Sequence, residues 1–168
     1  MQSDGPSAEI VRPEGGGPLV LACEHAAWHI PAEYGDLGLS GPALRSHAAW
    51  DIGARDVALA LSSLFDAPLV AGVVSRLVYD LNRPLDAASA IPAKSEVYDI
   101  PGNSGLSAEE RAARHARPPG FSFAGALGTL AERPRSGRRL AQARRAPHAH
   151  RRRGTTDKAT GSGPDPNR

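Results

Sequence analysis

Ten consecutive residues, Ser75-Arg76-Leu77-Val78-Tyr79-Asp80-Leu81-Asn82-Arg83-Pro84, place two guanidinium groups, a carboxylate and a carboxamide directly after an apolar run at 69–74. A guanidinium binds a carboxylate through two parallel hydrogen bonds, and an Asn side chain adds a neutral donor beside it. Arg76, Asn82 and Arg83 therefore read as a pocket for a small carboxylate, with Asp80 holding an arginine in place. The competing reading is an ion-pair network on the surface.

A second group lies upstream. Glu24-His25 follows the apolar run Leu19-Val20-Leu21-Ala22-Cys23, at the carboxyl end of a predicted strand, where open α/β sheets bind their ligands. The neutral ring of His25 suits metal binding, with a satisfied structural histidine as the alternative. His29, just before Ile30-Pro31, is the weaker candidate of the two. In His47-Ala48-Ala49-Trp50-Asp51, a helix would put His47 and Asp51 on one face at i, i+4, and Asp51 would also face Arg55. An ordinary helix ion pair explains that spacing equally well. A zinc hydrolase needs three protein ligands and an open position for water. Residues 1–116 offer Glu24, His25, His47 and Asp51, without an HxxE or HExxH motif.

These residues need elements to carry them. The run at 19–23 is continuous and apolar, as in a strand buried on both faces. From Pro42 to Phe65 the apolar spacing is helical, with Gly53 a point of weakness. The apolar run at 69–74 predicts a second strand, so the order is strand, helix, strand: a βαβ crossover. Residues 79–101 read as an irregular loop. Ser107 with Glu110 forms a capping box that opens a helix running to about His115.

Charge divides the chain. Residues 1–116 carry 8 Lys+Arg and 15 Asp+Glu, whereas residues 117–168 carry 12 and 3. Residues 1–17 are rich in Gly and Pro and predict a disordered leader. From Arg117 onward there is no Val, Ile, Tyr, Trp, Met or Cys, which predicts a disordered Arg/Pro/Gly-rich tail at 117–168. Two origins compete for that tail: an arginine-rich arm for nucleic acid, or GC-rich DNA translated out of frame. Aromatic residues are sparse there, and no recognisable nucleic-acid fold precedes it, so nucleic acid is not the expected partner. The single cysteine, Cys23, excludes an internal disulfide and fits a cytoplasmic protein. Neither a secretory signal nor an apolar stretch long enough to span a membrane is expected.

Glu24-His25-Ala26 with Ile30-Pro31, then Gly38-Leu39, His47-Ala48-Ala49-Trp50-Asp51-Ile52-Gly53, Ser75-Arg76-Leu77 and Asp80-Leu81-Asn82-Arg83-Pro84 resemble the N-formylglutamate amidohydrolase family. Ile100-Pro101-Gly102-Asn103 and the stretch from Leu106-Ser107 to Arg114 are similar too. The resemblance implies a three-layer α/β/α zinc-peptidase-like (phosphorylase/hydrolase-like) fold, present here as its N-terminal part at 18–116. It implies zinc-assisted hydrolysis of the amide of N-formyl-L-glutamate, or a similar small acidic N-acyl amino acid, to formate and glutamate. By position, His25 and Asp51 match metal ligands. Asn82 and Arg83 match substrate-carboxylate binders with Asp80 as their orienter; Arg76 assists, and Glu24 is a candidate catalytic proton shuttle. The family's later half, with a Ser-x-His-type segment giving a third ligand, has no counterpart after Ala116. A weak or inactive truncated enzyme is therefore expected, with a non-catalytic remnant or a binding protein with a basic tail as the alternative.

Overall fold

The computed structural model describes residues 8–84, 86–116, 120–132 and 139–142. In chain order these form β1 (Ala8–Val11), β2 (Leu19–Cys23), α1 (Gly41–Leu44), α2 (Ala54–Leu64), β3 (Leu69–Gly72), β4 (Lys94–Ser95), β5 (Tyr98–Asp99), α3 (Ala108–Ala116), α4 (Gly120–Ala131) and β6 (Arg139–Gln142). The main sheet has the order β1-β3-β2-β6, and β4 and β5 make a separate hairpin.

The α/β class expected from the apolar pattern is the one observed. Strands β2 and β3 pair in parallel, Leu21 opposite Leu69 and Cys23 opposite Ala71, with α2 between them in the chain. Leu21, Cys23, Leu69 and Ala71 pack with Ala58 of α2. Val20, Ala22 and Val70 pack with Phe123 and Leu130 of α4. Successive strand side chains point to opposite faces, so a helix covers each face. Both strands are therefore apolar without interruption. The capping box also forms: the Ser107 N–H donates to the Glu110 carboxylate at 2.7 Å, and the Glu110 N–H donates to Ser107 Oγ at 3.1 Å.

Three expectations need correction. Residues 8–17 are not a structureless leader: β1 runs antiparallel to β3, with Ala8 opposite Gly72 and Val11 opposite Leu69. The glycines after it serve close approach. A Cβ on Gly17 would lie 1.9 Å from the carbonyl oxygen of Phe65, and the Gly17 N–H donates to the carbonyl of Asp66 at 2.8 Å. Residues 1–7 lie outside the described residues.

The helix expected over 42–65 is split into α1 and α2. Gly53 takes φ 82° and caps α2 from a left-handed conformation, which glycine adopts without steric cost. His47 and Asp51 consequently sit in the connecting segment rather than along one helix face.

The tail expected to be disordered from 117 contains α4, whose Phe123, Leu127 and Leu130 pack against the sheet. Their spacing at i, i+4 and i+7 is the period of one helix face. Strand β6 pairs in parallel with β2, Val20 opposite Leu140. The remainder of 117–168 lies outside the described residues. Among the described residues no helix is long and apolar enough to cross a membrane.

Cys23 is fully buried. Burial, and then the negative charges of Glu24 and Asp51, push its thiol up to about 11. Since the thiolate is the reactive form, Cys23 is expected to resist Ellman's reagent in native buffer near about pH 8 and to react fully in denaturant. Rapid native labelling would mean that β2 opens readily.

Candidate functional site

Three backbone segments converge beyond the ends of β2 and β3. Glu24 and His25 extend from β2. After β3, Ser75 is fully buried and binds its neighbours through both ends of the residue. Its N–H donates to the His29 carbonyl at 2.7 Å, and its Oγ donates to the Ala49 carbonyl at 2.8 Å. The Arg76 N–H donates to the same Ala49 carbonyl at 3.2 Å, and the Asp51 N–H donates to the His25 carbonyl at 3.0 Å. Backbone hydrogen bonds thus bring His25, Asp51 and Arg76 together before any of their side chains interact.

Asp80 is the hub of the side-chain cluster and is only 3% exposed. Its Oδ1 lies 2.7 Å from His25 Nε2 and accepts the Asn82 N–H at 3.0 Å. Its Oδ2 accepts from an Arg76 amino group at 2.8 Å and lies 3.7 Å from Arg83 Nε. Asp51 completes the ring, with Oδ2 at 3.5 Å from His25 Nδ1 and Oδ1 at 3.5 Å from Arg76. Burial alone would push the Asp80 carboxyl up. The His25 hydrogen bond, the charges of His25 and Arg76 and the Asn82 N–H outweigh it, holding the group down at about 2. An ionised carboxylate only accepts, so His25 Nε2 carries the proton. The other ring nitrogen then faces Asp51.

A cavity of about 250 Å³ opens over this cluster, lined by His47, Ala48, Arg76, Asp80, Arg83, Ser89, Pro92, Lys94, Ser95 and Glu96. The β4–β5 hairpin forms one wall. Glu96, at the hairpin turn, hydrogen-bonds His47 through Nε2.

The structure therefore brings together five of the residues singled out from sequence: His25, Asp51, Arg76, Asp80 and Arg83. Asn82 joins through its backbone N–H. Glu24 is half-buried at the end of β2 and is not part of the cavity lining. Arg55 pairs with Glu9, its Nε donating to Oε1 at 3.1 Å, rather than with Asp51. Sequence reading missed Lys94 and Glu96, because strands of two residues leave no periodic signal. Ser75 was visible within the motif but carried no mark of its anchoring role.

His25 and Asp51 present two donors side by side. A ligand histidine ordinarily donates its second N–H to a carboxylate, as His25 does to Asp80. Among the described residues, however, no group of three or more His, Cys, Asp or Glu could hold a metal ion.

The family model described as N-formylglutamate amidohydrolase matches residues 17–118. The crystal structure of gene product Atu2144 from Agrobacterium tumefaciens is similar at a TM-score of 0.76 and 46% identity, over 82% of this chain and 55% of that one. This chain thus spans little more than half the length of that protein. No curated protein matches it.

Proposed function

Because the chain belongs to the N-formylglutamate amidohydrolase family, we propose that it carries the carboxylate-binding part of an enzyme that hydrolyses N-formyl-L-glutamate, or a similar small N-acyl amino acid, to formate and glutamate. The observation that carries this reading is the ring of His25, Asp51, Arg76 and Asp80, with Arg83 exposed at the cavity mouth. Asp80 holds Arg76 and steadies the turn that presents Asn82 and Arg83. Arg83 is half-exposed, and its contact with Asp80 is through Nε at 3.7 Å. Its remaining donors can meet a substrate carboxylate at the mouth, with Asn82 beside it.

We assign His25 and Asp51 as two donors to zinc, the third coming from outside the described residues. When bound, zinc would supply Lewis-acid polarisation of the formamide carbonyl and a more acidic water. The described residues contribute binding and orientation, and Glu24 is the proposed proton shuttle. The sheet with a helix on each face fits a three-layer zinc-peptidase-like architecture, and the buried lone thiol suits a cytoplasmic setting. With the third donor missing from this cluster, turnover by the chain alone is expected to be weak or absent.

Calorimetric titration with N-formyl-L-glutamate tests the reading. Binding is expected, with a loss of roughly tenfold or more in Arg83→Ala. Formate release in the presence of zinc, abolished by His25→Ala, would establish hydrolysis. Failure of N-formyl-L-glutamate to bind with or without zinc overturns the proposal.

A further inference from the structure

The hairpin wall of the cavity has a feature that turn formation does not require. Ser95 pairs with Tyr98, so Glu96 and Val97 form a two-residue loop, and Glu96 sits at φ 54°. A hairpin loop with positive φ at its first central residue favours glycine there. Glutamate in that place is disfavoured, yet its carboxylate is bonded to His47, a lining residue from another segment of the chain. The side chain, not the turn, accounts for the residue: it latches the hairpin to the segment between α1 and α2.

The latch fixes what the hairpin carries. Both carboxylates in the lining are already bonded to a histidine, Asp80 to His25 and Glu96 to His47. Arg76 is committed to Asp80 and Asp51. Arg83 and Lys94 are the lining cations with loose engagement. Lys94 lies 3.8 Å from an Asp99 carboxylate, beyond hydrogen-bond reach.

Building on the function proposed above, we infer that Lys94 binds a second substrate carboxylate, so that the cavity selects dicarboxylic N-acyl amino acids, and that the Glu96–His47 latch positions it. Arg83 takes one carboxylate and Lys94 the other. The two lining cations discriminate against a ligand with an amide at either end, because that ligand forgoes one of the two charge-assisted contacts.

Titration of the purified chain with N-formyl-L-glutamate and with N-formyl-L-glutamine, its neutral-side-chain counterpart, tests this. Lys94→Met is expected to weaken the dicarboxylate roughly tenfold and to leave the glutamine compound within about twofold. Glu96→Gly keeps the turn, since glycine suits that position, but releases the latch, and should reproduce the selective loss. Equal affinity of the unaltered chain for both compounds, or equal losses for both in Lys94→Met, overturns the inference and leaves the role of Arg83 standing. Absence of binding by either compound overturns both.

Discussion

Asp80→Ala is expected to destabilise the protein by about 3–5 kcal/mol and to abolish binding of N-formyl amino acids. The carboxylate is nearly inaccessible and has four partners: His25, Arg76, Arg83 and the Asn82 backbone. Removing it strands Arg76 on one 3.5 Å contact with Asp51 and leaves the buried His25 N–H without its acceptor. The loss of a partner from a buried charge cluster costs far more than the loss of a surface pair, because the remaining charge is neither solvated nor compensated. Asp80→Asn, which keeps the shape and an acceptor for the Asn82 N–H, should lose less stability. Urea unfolding of the two variants gives the comparison. A change below about 1 kcal/mol in Asp80→Ala would place the cluster among solvated surface pairs and remove its claim to be a preorganised site.

The same carboxylate sets an acid limb. Its folded-state value is about 2, below the ordinary 3.8. The folded protein therefore binds the proton less readily than the unfolded chain does. The contribution of Asp80 to stability is complete above the unfolded value and falls away as pH drops from about 4 towards about 2. Asp80→Ala should flatten stability against pH across that window, and the unaltered protein should not.

How much of this was legible depended on whether the signal was local. The run at 19–23 and the start of that at 69–74 announced buried strands because both faces of the sheet are covered, and the Ser107–Glu110 box is complete within four residues. Arg76, Asp80 and Arg83 were legible because their types and spacing already suggested a cluster. The links between segments were not. Nothing in the spacing of residues 47–51 indicates that Asp51 turns towards His25, because the bond from the Asp51 N–H to the His25 carbonyl decides it, with those from Ser75 and Arg76 holding the flanking segments. The glycines at 15–17 suggested flexibility by composition, whereas they are needed for contact with the turn after α2. Averaging over residues 117–168 concealed the apolar face of α4, where three residues are enough to bind one helix to a sheet.

Gly72→Ala should show how tightly the site is keyed to the sheet. Gly72 ends β3, between its partners β1 and β2. A Cβ there would lie 2.3 Å from the carbonyl oxygen of Glu24 and 3.3 Å from Leu81 Cδ1. The first obstacle is backbone, so no rotamer change relieves it. Either β3 withdraws from the extension of β2, disturbing the neighbouring Cys23–Ala71 pairing, or Glu24 moves and takes His25 with it. We expect a loss of about 3 kcal/mol, the upper part of the range for overpacking, and a drop in N-formyl-L-glutamate affinity beyond what stability explains. Gly53→Ala is the control. Gly53 also resists replacement, but through its φ of 82° with no atom within 4 Å of a new Cβ. Its cost is conformational, about 1–2 kcal/mol, and it should leave the His25–Asp80 contact and ligand binding intact. If the two variants behave alike, the strand ends slide freely past each other and the histidine is positioned by Asp80 alone. If only Gly72→Ala loses binding, the absence of a side chain at the end of β3 is what allows Glu24 and His25 to reach the site.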